Sequence, residues 1–320
     1  MNHLFFLVVF VHAAMAIVVL HPSESELSPS AVQVVADKAH EKAISIPGIC
    51  AVIVGDPGRG TVGTGIFVYS TADTGYVLTT AHGLDGQKPA AVHLSFNQDI
   101  RDGLRMQVSG VHIHPKFQPS NALFVHNIAL LEFPLNDSWK KIMPVPMDTR
   151  NDYEPGVFYE GLIAGYGHFA TNKSDLYAIG RAHAGATWVQ IHPIESGSPL
   201  FMSLLPHRGH QRDSQDKPIV PLALNQYVDI RKPVYVEFEL ASAAIRVHAE
   251  QSMILHGDMG GPLFLKSTTG KLKIAGIARS VTFSDTTLLA DKHFYSLMTY
   301  WEPVCLYKDW IRSVLFSRKR

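Results

Sequence analysis

Cysteine is almost missing: two residues, Cys50 and Cys305, in a chain of 320. That excludes a disulfide framework, and no short cysteine spacing is left to form a zinc motif. A surplus of charge is missing as well, since 28 Lys and Arg balance 28 Asp and Glu for a formal net charge of zero. No broad field therefore directs the protein to nucleic acid or to an anionic membrane. The one basic cluster, Arg312 with Arg318-Lys319-Arg320, reads as a solvated tail. Internal repeats are absent, and neither a cofactor nor a bound metal is expected.

What is present is ordinary for a soluble protein, with 46% hydrophobic and 18% charged residues. The length suffices for two hydrophobic cores. Leu4 to Val11 is an unbroken apolar run, followed by the small-residue pattern Ala14-Met15-Ala16. This is the order of a secretory signal and its cleavage site, although Met1-Asn2-His3 brings little positive charge. The expectation is a signal peptide over 1–16, a mature start near Ile17 and secretion to an extracellular or periplasmic space. The competing reading is an uncleaved anchor from Leu4 to Leu20, which is short for a membrane span. In an exported chain Cys50 and Cys305 can pair and tie the ends together, or stay free. The expected state is a monomer.

Residues 17–49 read as an amino-terminal arm with a helix around Ala31 to Ala43. Short β-branched runs between Gly and Pro clusters then follow as antiparallel strands: Cys50 to Val54, Gly63 to Tyr69, Gly75 to Thr80, Ala91 to Phe96 and Met106 to Pro115. His112 and His114 alternate and so share a strand face, a geometry able to hold a metal. Asn127 to Phe133 is a further strand. Pro134 to Pro155 reads as a surface linker containing the acceptor pattern Asn136-Asp137-Ser138, and a second such pattern lies at Asn172. Val157 to Gly167, Leu176 to Ile179, Ala186 to Ile191, Val234 to Glu239, Ala244 to His248 and Leu272 to Ala278 supply the strands of a second half. Tyr300 to Phe316 reads as a closing helix.

Three motifs carry a resemblance. Thr64-Gly-Ile-Phe-Val with Tyr76-Val-Leu-Thr-Thr-Ala-His82 looks like the strand pair that delivers the catalytic histidine of chymotrypsin/trypsin-like serine proteases. His126-Asn127-Ile-Ala-Leu-Leu resembles the segment that carries their aspartate. Gly257-Asp258-Met259-Gly260-Gly261-Pro262 resembles their nucleophile turn, in which glycines permit a tight path that aims successive N–H groups at an oxyanion. The likeness spans about Cys50 to Phe316. It implies an all-β fold of two six-stranded antiparallel β-barrels with a C-terminal helix. The implied boundaries are 50–134 for the first barrel, 135–155 for the linker, 156–298 for the second barrel with an insertion at 196–229, and 299–320 for helix and tail. The resemblance also makes His114-Pro115 structural.

At the triad positions the chain departs from the family. His82 remains, but Asn127 stands where the acid would be and Met259 where the nucleophile would be. In the triad the histidine takes the serine proton while the aspartate fixes its tautomer and stabilises its cation. A neutral amide cannot stabilise an imidazolium, and a thioether has no proton to give up. Met253 takes the place of the acid at the base of a trypsin-like pocket, and Arg279 that of a small serine beside the pocket, where a long cation would narrow it. Asp258 is retained beside Gly257 in the oxyanion-type turn. It lacks a processed amino terminus immediately before the first strand, so a pairing with Arg279 or a histidine is expected. The expected function is that of a secreted, proteolytically inactive homologue that binds a protein partner or retains a former peptide-substrate cleft. The alternative is an active endopeptidase using Ser196, whose Glu195-Ser196-Gly197-Ser198-Pro199 also imitates the turn.

Overall fold

The computed structural model describes residues 16–20, 29–55, 60–119, 126–137, 139–154, 157, 159–170, 180–192, 200–204, 251–253, 257–267, 270–283 and 296–317. The helix of the arm is α1 (Pro29–Ile44). The first half holds β2 (Ile49–Val54), β3 (Thr61–Ser70), β4 (Thr74–Thr79), β5 (Val92–Ser95), β6 (Met106–Gln107), β7 (Gly110–Ile113) and β8 (Ala129–Pro134). They follow β1 (Ala16–Leu20) in the chain. The second half holds β9 (Tyr159–Gly165), β10 (His168–Ala170), β11 (His183–His192), β12 (Leu200–Leu204), β13 (Gln251–Met253), β14 (Pro262–Lys266), β15 (Leu272–Phe283) and β16 (Ser296–Pro303). A 3-10 turn, Val304–Tyr307, leads into α2 (Lys308–Phe316). No described helix is long and apolar enough to cross a membrane.

The architecture is all-β, as expected, with a C-terminal helix. The second half closes into a six-stranded barrel of order β11-β12-β16-β15-β14-β9. The first is a seven-stranded antiparallel sheet of order β6-β5-β2-β3-β4-β8-β7. A third, small sheet sets β1 between β10, to which it runs parallel, and β13, to which it runs antiparallel.

The central strands are apolar on both faces because each face meets a different core. Successive side chains of a strand point to opposite sides. Thus Cys50 and Val52 of β2 join Phe67, Val77, Leu131 and Phe133 inside the first sheet. Their neighbours Ala51 and Ile53 join Ile66, Leu78 and Leu130 in a core shared with Ala164, Tyr166, Phe264 and Ile277 of the second half. The barrel interior is a third cluster around Trp301, Ile163, Val189, Leu263 and Ala278. Helix α2 adds Ile311 and Leu315 to the shared core.

The structure differs from the sequence reading in three places. Leu200–Leu204 lies in the barrel and not in an insertion, since its apolar run Leu-Phe-Met-Ser-Leu is paired to β11 and β16. Tyr300–Pro303 is strand, and the helix begins at Lys308. The linker is not purely superficial: Trp139 packs into the first core, Val145 into the shared one, and Met147 bridges to Ile274. Both cysteines are buried free thiols. Cys50 sits in the first core, with burial and the neighbouring Gly65 setting its acidity, whereas Cys305 lies on the turn before α2 near Asp148, so the two do not pair. Asn172, Leu176 to Ile179, Ser196, Val234 to Glu239 and Ala244 to His248 lie outside the described residues.

Leu78 is fully buried between the halves, whereas Leu272 is 41% exposed. Truncation of Leu78 to Ala is expected to cost about 2–5 kcal/mol and Leu272→Ala less than about 0.5 kcal/mol. Denaturant titration of both variants measures the difference.

Candidate functional site

His82 follows β4 by three residues and is exposed, while Ala81 beside it is fully buried. A turn closed by the Leu84 N–H on the Ala81 carbonyl carries the chain away. The main-chain N–H of His82 donates to Oδ1 of Asn127 at 2.7 Å. Nδ2 of Asn127 donates to the main-chain carbonyl of Arg279 at 3.2 Å, and the Asn127 N–H donates to Oε1 of Glu302 at 3.1 Å. Asn127 is completely buried. Its two side-chain bonds run to main-chain atoms. They also fix which end is oxygen, because one partner can only donate and the other only accept.

Here an amide and a carboxylate are not equivalent. A carboxylate oxygen in place of Nδ2 would face the Arg279 carbonyl, acceptor against acceptor, and add a second negative charge near Glu302.

Arg279 belongs to a buried polar cluster. Its guanidinium is 3% exposed and 3.3 Å from Oε1 of Glu302. Burial pulls the Arg279 pKa down, and the Glu302 carboxylate works against that shift. The hydroxyl of Tyr307 donates to Oε2 of Glu302 at 2.6 Å, and burial followed by this carboxylate raises its pKa. Glu302 is thus shared by an arginine, a phenol and a backbone N–H. Buried charges are tolerated only with such company. Sequence reading missed Glu302 and Tyr307 because both lay in a stretch assigned to helix. The available signal was a lone acid in the apolar run Leu297 to Leu306.

The turn at 257–261 is held from both halves. The Thr64 N–H donates to the Met259 carbonyl at 2.9 Å, and the Thr64 hydroxyl donates to the Gly257 carbonyl at 3.0 Å. The same hydroxyl accepts from the Tyr166 N–H at 2.9 Å. The Gly260 N–H meets the Ala278 carbonyl and the Gly261 N–H the Asp258 carbonyl. Gly260 has φ +86°, and a Cβ there would collide with the Thr64 carbonyl and Thr79 Oγ1, so only glycine fits. Among the described residues, the N–H groups of Gly257 and Met259 donate to no protein acceptor.

Asp258 is fully buried and accepts from the Gly167 N–H at 2.8 Å. A Cβ at Gly165 would collide with its carboxylate, which explains the Gly-Tyr-Gly sequence. The Met259 side chain is partly buried and packs against the barrel cluster that includes Trp301. Met253 is a strand residue opposite Val18. His112 on β7 and His114 just after it are divided: Nε2 of His112 lies 3.4 Å from Oε2 of Glu132, and His114 stacks on His126. The site thus brings together His82, Asn127 and Arg279 through main-chain bonds, and it holds Met259 and Asp258 in one turn.

No family model and no curated protein sequence matches the chain. Among solved structures it is similar to neuropsin, a serine protease expressed in the limbic system of mouse brain. The two share 17% identity over 87% of this chain and 96% of neuropsin, with a TM-score of 0.49. At that identity no residue role passes from one protein to the other.

The N127D variant is expected to lose about 3 kcal/mol or more of stability at neutral pH through its unmatched buried charge. Its introduced carboxyl has a raised pKa in the folded state, because the protonated form alone can donate to the Arg279 carbonyl. The variant therefore approaches the parent below about pH 4, where both folded and unfolded forms hold the proton, and the deficit grows as the pH rises. Thermal melts of both proteins across this range give the comparison.

Proposed function

We propose that this chain is an exported homologue of trypsin-like serine proteases that performs no acyl transfer and acts by binding a protein partner. The single observation that carries the reading is the hydrogen bonding of Asn127, at the position where the resemblance would put the triad acid: its surroundings satisfy an amide at both ends. Met259 supports it independently. A thioether in the nucleophile turn supplies neither a proton for a base to take nor an oxygen to acylate. What the arrangement keeps is the scaffold: a turn pinned to both halves and the surface around His82. A protein of this kind uses its former cleft, or the insertion expected from the sequence at 196–229, as a recognition surface.

An active endopeptidase with Ser196 as nucleophile is the opposing reading, and one experiment separates the two. The purified mature protein is incubated with a serine-directed fluorophosphonate beside trypsin as control, and adducts are mapped by peptide mass spectrometry. The expected result is a labelled control and no serine adduct on this protein. An adduct on Ser196, or on any other serine, overturns the proposal.

A further inference from the structure

We propose that His114 and His126, together with Tyr307 and Trp310, form an acid-released latch that holds the C-terminal helix against the first sheet. His114 follows β7 and His126 precedes β8, so both belong to the first half. Their rings stack with centroids 5.1 Å apart and 30° between planes. The edge of the stack is closed from the other half, by Tyr307 at 5.1 Å and Trp310 at 5.1 Å from His114, each nearly perpendicular to it. Tyr307 ends the 3-10 turn and Trp310 lies in α2, one position before Ile311, which is fully buried in the shared core.

The hydrogen-bond order is forced. Tyr307 has one proton and gives it to Glu302, so its oxygen accepts from Nδ1 of His126 at 3.2 Å. A relay therefore runs from His126 through Tyr307 to Glu302, and from Glu302 to Arg279 and Asn127. His126 sits at φ +56°, a conformation that a non-glycine residue holds only when its surroundings fix it. Nδ1 of His114 accepts from the Lys116 N–H at 3.3 Å.

The groups facing the stack are Lys116 from the loop after β7, Arg279 from β15, Glu302 from β16, and Tyr307 and Trp310 from the C-terminal segment. Glu302 is the one acid among them, and it is already engaged by Tyr307, Arg279 and the Asn127 N–H. A proton on either ring thus enters a cluster holding two cations, and a second proton sets two imidazolium rings face to face. Burial, then His126 and Lys116, push His114 down to about 4, and burial likewise lowers His126. A histidine released from the stack takes its proton near pH 6.5. The released form therefore binds more protons in the interval. The latch holds fully above about pH 6.5 and weakens as the pH falls toward 4.

Hydrogen exchange of the backbone amides of 308–316 between pH 7.5 and 4.5, corrected for intrinsic exchange rates, tests this on the full mature chain. Protection of the helix is expected to fall by about tenfold or more over this range in the parent protein. Amides of β14 serve as internal reference and should keep their protection. In H114F, which keeps an aromatic ring and cannot titrate, the loss should be much smaller. H126N gives a second route, because asparagine suits the left-handed backbone and removes the other titrating ring. Either variant with a flattened pH response supports the latch. Equal responses in parent and variants, or no loss of helix protection in the parent, overturn it.

Discussion

The structure depends on one buried side chain that is bonded to main chain at both ends. Asn127 accepts from the backbone of His82 and donates to the backbone of Arg279, while its own N–H reaches Glu302. The first bond lies within the first half of the molecule, and the other two cross to β15 and β16 of the second. An amide suits this place because it is donor and acceptor at once. Buried polar groups are costly when unpaired and specific when fully paired, so the bond pattern fixes how the two halves meet. A carboxylate can fill the same volume but not the same pattern.

The turn that resembles a nucleophile loop obeys a similar constraint. Thr64 binds it through its N–H and its hydroxyl, and the hydroxyl accepts a further bond from Tyr166. One threonine of the first half thereby ties both the turn and the end of β9. Gly260 and Gly165 are the residues that allow the chains to come so close, one to Thr64 and the other to Asp258. Met259 takes part in this geometry, contributing its carbonyl to Thr64 and its side chain to the barrel cluster. The backbone of residue 259 is thus held by the first half, and its side chain by the second.

Much of the fold was legible. Runs such as Cys50 to Val54 and Asn127 to Phe133 carry too much β-branched and aliphatic bulk for exposed segments, and both proved to be strands buried on two faces. The glycines at 257, 260 and 261 announced a tight turn. Asn127 was singled out by the motif around it, but its bonds were not legible, since main-chain partners leave no mark in a sequence. Leu200–Leu204 was hidden by the polar residues that follow it. Tyr300 to Leu306 was read as helix against its own composition, since Tyr300, Trp301 and Val304 favour strands and Pro303 interrupts a helix, and pairing with β15 and β12 makes its first part strand. Glu302 was overlooked for that reason, and with it the buried pair it makes with Arg279. The two cysteines show the converse limit: composition permits a disulfide, but the fold sends each thiol to a different environment.

The relay from His126 to Asn127 joins the stacked histidines to the backbone of His82 through four residues, so the closing helix and the site share one polar network. Its keystone can be observed directly. In isotopically labelled protein, the side-chain amide of Asn127 can be read by NMR for scalar coupling across its hydrogen bond to the carbonyl carbon of Arg279. The account predicts a measurable coupling and amide protons protected from exchange with water. Rapid solvent exchange of those protons, or a hydrogen bond from them to the imidazole of His82, would contradict it.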